Sequence, residues 1–151
     1  MNIIKAQKII FNALISGCHV RKYEFDKDNV FITPDGYHGY VLPYSSLQVN
    51  TDRIPVMKNS DVESVVTEEN CCRLSRELVL QEHPKAYLRK LKKGDQSIYF
   101  NQKLMDCFQN PKFYCKDPHQ MIVITEDISA NRKNAIVGII MPTRVGEDFF
   151  K

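Results

Sequence analysis

No apolar stretch in this 151-residue chain approaches the ~20 residues that a membrane-spanning helix needs. The N-terminus lacks the basic, apolar and small-residue succession of a secretory leader. Its five cysteines are an odd number and include the adjacent pair Cys71 and Cys72, which fits no disulfide framework. Together these absences read as a cytoplasmic protein with reduced thiols. Net positive charge is small as well. A formal balance of +3 is too mild to argue for nucleic acid by itself. The six glycines form neither a phosphate loop nor a dinucleotide fingerprint. His19, His38, His83 and His119 are scattered, and sequence pairs none of them with a nucleophile. Cys115 and His119 have a metal-ligand spacing, but no second Cys or His pair completes a tetrahedral set. Neither a cofactor, a metal nor a catalytic residue is expected.

What is present is ordinary globular composition. Hydrophobic residues make up 43% and charged residues 26%, enough for one domain with a proper core. The informative feature is an internal echo of about forty residues. One pass runs from Lys5 to Pro43 and the other from Gln102 to Pro142. Each opens on an amphipathic helix pattern, passes through three strand-like runs and stops at a Gly-hydrophobic-hydrophobic-hydrophobic-Pro string. The strings are Gly39-Tyr40-Val41-Leu42-Pro43 and Gly138-Ile139-Ile140-Met141-Pro142.

The periodicity predicts a first helix over Asn2 to Ser16, stopped by Gly17. Ile3, Ile4, Ala6, Ile10, Phe11, Ala13, Leu14 and Ile15 share its broad apolar face, and Lys5, Lys8, Asn12 and Ser16 lie opposite. Strands are predicted at His19 to Phe25, Val30 to Thr33 and Tyr37 to Leu42, separated by Asx- and glycine-containing turns. Residues 44–70 read as a connection with one short strand near Ile54 to Met57. Further strands are predicted at Cys72 to Glu82, Tyr87 to Leu91 and Ser97 to Phe100, the last two flanking the turn Lys93-Gly94-Asp95. A second helix, Gln102 to Gln109, with Leu104, Met105, Cys107 and Phe108 inward, leads into strands at Lys112 to Lys116, Met121 to Glu126 and Ala135 to Met141.

The string Ile139-Ile140-Met141-Pro142-Thr143-Arg144-Val145 resembles the C-terminal strand of bacterial DNA polymerase III sliding clamps, which ends in hydrophobic-Met-Pro-x-Arg-hydrophobic. Ser97 to Leu104 is similar to the strand-into-helix segment of a clamp's last domain. The local match covers residues 97–145, and residues 1–43 fit by pattern alone. The resemblance implies an α+β, DNA-clamp-like domain over 1–145. Its two pseudo-symmetric helix-plus-meander repeats (about 1–43 and 72–145, joined by 44–70) would pack two helices on one face of an antiparallel sheet, with a tail at 146–151. A bacterial clamp subunit carries three such domains, and this chain has room for one.

By the same resemblance, the peptide groove of a clamp maps onto Ile139, Met141, Pro142 and Arg144. Methionine suits an adaptable apolar groove, and Arg144 would fix a peptide carboxylate or carbonyl. The DNA-facing helix positions map onto Lys5, Lys8, Asn12 and Lys103, whose plain alternative is a solvated helix face. The denser basic cluster of Lys85, Arg89, Lys90, Lys92 and Lys93, with Tyr87 among them, reads equally as a base-stacking patch or a charged edge strand. In the tail, Phe149 and Phe150 read as docked beside Met141, docked in the groove of a second copy, or frayed. The function expected is a non-enzymatic accessory module for protein or peptide binding, with weak non-specific DNA contact and homo-oligomerisation as further expectations. A binding protein of unrelated function is the alternative, ahead of an unrecognised enzyme.

Overall fold

The opening helix follows from local chemistry. In the computed structural model, which describes residues 1–82 and 85–144, it spans Ile3–Ile15 (α1). Asn2 caps it, its Oδ1 accepting the Lys5 amide at 3.0 Å, which satisfies one of the orphaned N–H groups of the first turn. At the other end Gly17 takes φ +73°. The Gly17 and Cys18 amides then bond back to the Leu14 and Ala13 carbonyls at 3.3 and 3.0 Å, the left-handed closure that glycine permits.

Nine strands follow: β1 (Arg21–Glu24), β2 (Asn29–Thr33), β3 (His38–Pro43), β4 (Cys71–Glu82), β5 (Lys85–Lys93), β6 (Gln96–Asn101), β7 (Lys112–Tyr114), β8 (Ile122–Glu126) and β9 (Ala135–Ile140). They form one sheet in the order β1-β2-β3-β9-β8-β7-β4-β5-β6, and every neighbouring pair is antiparallel. The far edge turns back on the chain, because Tyr99 in β6 makes an antiparallel bridge to Thr143, just past β9.

Two helices on one face of the sheet do not form. Strand takes 42% of the residues and helix only 18%, so this is a sheet protein with a single α-helix among its described residues. The second helix expected over Gln102 to Gln109 is a 3₁₀ turn, Gln102–Met105. The segment is short, and Asn110 at φ +48° followed by Pro111 ends it. The Gln109 amide bonds to Glu126 Oε2 at 2.8 Å instead of an intrahelical carbonyl. So few residues cannot repay helix nucleation against those competitors. Leu104, Met105 and Phe108 still pack on the core, and Cys107 is buried.

Both faces of the central strands are covered, which is why β8 reads as buried throughout. On one face, Ala6 and Ile10 of α1 meet Val30, Ile32, Tyr40 and Leu42. The same side continues under Phe100, Phe113, Ile122, Ile124 and Ile140. On the other face, Phe31, Val41, Val123 and Ile139 are covered by Val62 and Val65 from the 44–70 connection. That connection carries three short 3₁₀ turns over 44–70. Its expected strand near Ile54 is a single parallel bridge, Lys22 to Val56.

The two Gly-initiated strings meet at the sheet's centre, Gly39 opposite Ile139 and Tyr40 opposite Gly138. A Cβ at Gly138 would lie 2.5 Å from the Phe108 ring on one face. A Cβ at Gly39 would overlap the Phe31 ring on the other and lie 2.9 Å from the Ile32 carbonyl oxygen. Each glycine therefore makes room for an aromatic side chain. Gly39→Ala is expected to destabilise the fold by about 1–3 kcal/mol, the usual cost of overpacking. Urea unfolding measures this directly, and an unchanged midpoint would mean that Phe31 moves aside freely.

Candidate functional site

Past β9 the chain does not turn away into solvent. The Met141 amide bonds to the Tyr37 carbonyl and the Thr143 amide to the Tyr99 carbonyl, both at 2.7 Å. Residues 141–144 are thus strung between the start of β3 and β6. Around them opens a cleft of about 630 Å³, lined by the Asp35-Gly36-Tyr37 turn, Asn101, Leu104, His119 and Met141 to Arg144. A smaller apolar hollow of about 100 Å³ adjoins it, sharing Gly36, Tyr37 and Met141 and reaching Ile139, Met57 and Met121.

The Asp35 turn is the rigid wall. Gly36 takes φ +83°, and its amide bonds to Thr33 Oγ1 at 2.8 Å, while that hydroxyl donates to the His38 carbonyl at 2.6 Å. Asp35 Oδ1 accepts the Tyr37 and His38 amides at 2.8 and 3.1 Å, and Oδ2 stands 3.0 Å from the buried His38 Nδ1. Burial pushes the Asp35 carboxyl upward, but the His38 side chain and the two amides outweigh it and hold it below the usual carboxylate range. The turn holds Tyr37 out at 70% exposure. His119 stands on the loop before β8, its amide bonded to Asp117 Oδ1 at 2.8 Å.

Three of the four groove residues read from sequence (Met141, Pro142 and Arg144) therefore line one cleft, and Ile139 lines the adjoining hollow. Ile139 is 7% exposed and packs with Phe31 and Val41, so it supports the floor from the core. Arg144 is exposed and has no ion pair among the described residues. Sequence reading missed the opposite wall. Pro34-Asp35-Gly36 signals a turn, but nothing local says that β3 lies beside β9 and brings Tyr37 to Met141. The tail expected to dock there, 146–151, lies outside the described residues.

The other sequence candidates fall elsewhere. Lys5, Lys8, Asn12 and Lys103 are all exposed, as a solvated or DNA-facing surface requires. Lys5 Nζ, however, lies 3.9 Å from Asp106 Oδ2. Ile4, Phe11 and Ile15, expected on the buried face of α1, are exposed beside Lys8. The reason is that Gln7 occupies the buried arc, donating to the Ser46 carbonyl at 2.8 Å and accepting the Gln48 amide at 2.7 Å. β5, for which a charged edge strand is one of the two readings from sequence, is interior between β4 and β6. Three of its five basic side chains are engaged within the fold. Arg89 donates to Gln102 Oε1 at 2.7 Å and the Ser75 carbonyl at 3.2 Å. Lys90 meets Glu77 at 3.4 Å, and Lys93 meets the Lys116 carbonyl at 2.7 Å. The Cys115 thiol turns into the core toward the Asp117 carbonyl at 2.8 Å, and burial pushes it up to about 11. His119 instead lines the cleft. Burial likewise raises Cys72 and Cys107. Among the described residues no helix is long and apolar enough to cross a membrane.

A scan of protein-family models, a search of curated proteins and a search of solved structures each find no match to this chain.

Asp35 makes the wall pH-dependent. Because its folded pKa lies below the unfolded value, it contributes stability above about pH 4, and that contribution disappears as pH falls through the folded value. Asp35→Asn keeps the acceptor for the two amides but drops the charge. It is expected to flatten the acid limb of stability against pH, read by thermal unfolding between neutral and acid pH. Parallel acid limbs for the two proteins would overturn the assignment.

Proposed function

We propose that this chain is a non-enzymatic interaction module of the cytoplasm that captures a short peptide in the cleft beside Met141. The observation that carries this is the convergence of Met141, Pro142 and Arg144 with the exposed Tyr37 ring around one 630 Å³ opening. Its lining is a mixed one: Met141, Leu104, Pro142 and Tyr37 offer apolar contact, Asn101 and Thr143 offer polar groups, and Arg144 offers a cation with no ion pair among the described residues. A few polar groups set among apolar ones is the usual make-up of a recognition site. The matching ligand carries an apolar or aromatic side chain next to a carboxylate. Methionine adapts its shape to different side chains, and guanidinium pairs with carboxylate in two-pronged geometry. The reading stands on these side chains and does not require the two-helix clamp architecture.

The test is fluorescence anisotropy with labelled peptides carrying Glu-Asp-Phe-Phe, the order of residues 147–150, against the same composition scrambled. Met141→Lys and Arg144→Glu are each expected to weaken binding by about tenfold or more, since a buried methionine or a charge-assisted pair contributes about 1.5–3 kcal/mol. Equal binding by both variants would remove the cleft from consideration.

Contact with DNA, by this reading, is weak and electrostatic. Lys5 is already close to Asp106, and few exposed lysines remain on α1 to displace counterions. Duplex binding measured by anisotropy is expected to show no sequence preference and to vanish as salt rises from about 50 to 200 mM. Retention of one sequence at the higher salt would contradict it.

A further inference from the structure

β4 is long, and most of its outer edge has no neighbour. It pairs with β7 only at Cys71 and Cys72, so among the described residues the edge from Arg73 to Glu82 is unpaired while the other side is zipped to β5. Exposed edges of this length are normally blunted by charged side chains, proline, a bulge or a covering element. Here the bulge and the charges of Arg73, Arg76 and Glu77 lie in the first part of the strand, and Leu78 to Gln81 carries no charge and no proline. One face of the β4–β5 hairpin is also apolar. Leu80 stands opposite Tyr87, and Leu78 lies two residues away on the same side. The three are 43%, 55% and 48% exposed.

Sequence register says what fits the edge. A strand sends the amides of alternate residues outward, so a two-fold antiparallel pairing with a second copy must place its axis on a residue. With the axis on Val79, Leu78 stands opposite Leu80 of the second copy, Glu77 opposite Gln81, and Arg76 opposite Glu82, each pair occurring twice by symmetry. Neighbouring axes fail. An axis on Glu77 or Arg76 sets that charge against itself, one on Leu78 sets Arg76 against Leu80, and one on Leu80 sets Leu78 against Glu82. Arg76 and Glu82 are both exposed, and neither has an ion pair among the described residues. Leu78 to Glu82 pair regularly with β5, so the contacts around Val79 carry the register, while Arg76 and Glu77 lie in the bulge and Arg76 meets Glu82 through its long side chain.

We propose that two copies of this chain join through β4, edge to edge and antiparallel, with the two-fold axis at Val79. The sheets then run on from one copy into the other. Leu78, Leu80 and Tyr87 of both copies close into one apolar cluster, and Arg76 pairs with Glu82 across each end. This surface is separate from the Met141 cleft, so peptide binding and dimer formation are independent measurements.

Sedimentation equilibrium tests it on the full chain. The expected mass is twice 17.5 kDa. Leu80→Lys is expected to yield monomer with an unchanged far-ultraviolet dichroism spectrum, because that side chain is half-exposed and not part of the core. Arg76→Glu sets glutamate against glutamate and is expected to weaken the dimer at least tenfold. The double swap Arg76→Glu with Glu82→Arg restores the opposite-charge pairs and is expected to recover wild-type association. A wild-type chain that stays monomeric at the highest soluble concentration overturns the proposal. So does a dimer that Leu80→Lys leaves intact, or one that the charge swap does not restore.

Discussion

The three paired positions where β3 meets β9 hold the molecule together. Without that ladder the sheet would part into β1-β2-β3 and β9-β8-β7-β4-β5-β6, each with a newly unpartnered edge. The pairing of His38 with Ile140, Gly39 with Ile139 and Tyr40 with Gly138 merges them and gives the central strands cover on both sides. Close approach there depends on the two glycines. Gly138 accepts the Phe108 ring on the α1 side and Gly39 accepts Phe31 on the other. The aromatic residues that fill those spaces belong to both layers. Tyr40 stacks near Phe108 at 5.8 Å, and Phe31 near Tyr23 at 4.8 Å. The junction is thus a packing centre as well as a backbone one.

The same junction makes the cleft. β9 ends at Ile140, but the Met141 amide carries the ladder one step further to the Tyr37 carbonyl. Thr143 then bonds across to β6. The chain between them is pinned at both ends, so Met141 and Pro142 are held against a wall fixed by Asp35 and Thr33, and Arg144 follows directly after the second pin. A site held this way loses little entropy when a ligand arrives.

Most strands were legible in the sequence because alternation and turn chemistry are local signals. Asn2, Gly17, Gly36 and Gly94 each mark a boundary that the backbone respects, the glycines all at positive φ. Two kinds of information were not local. The Gln102 to Gln109 segment has a helical hydrophobic pattern, yet Glu126, from a distant strand, takes the amide of Gln109 and Pro111 closes the run. The apolar pattern still placed Leu104 and Phe108 inward, since burial follows side-chain chemistry even where the helix fails. On α1 the reverse occurred. The periodicity made a face too wide, and the anchoring of Gln7 to Ser46 and Gln48 chose which part of it the sheet covers. In the cleft, the Met-Pro-x-Arg row was visible and the Tyr37 wall was not, because it is brought there by strand order alone.

The groups near the cleft also bear on what it does. A general acid or base needs a proton that can move and a pKa near the working pH. The Asp35 carboxyl is instead held ionised by the His38 ring and two amides, and the Thr33 hydroxyl is spent bracing the same turn. His38 is buried behind that wall, edge-on to Tyr40 at 5.4 Å. Burial pushes the Tyr40 phenol up, so it too keeps its proton. His119 reaches the opening from a loop, but the nearest thiol in its own loop, Cys115, is turned into the core and kept protonated. The opening presents apolar contact surface, His119, and an Arg144 guanidinium that has no ion pair among the described residues. Asp35, Thr33 and His38 are thereby committed to building the wall, and the side chains left facing the opening are those of the Met141 to Arg144 row, Tyr37 and His119.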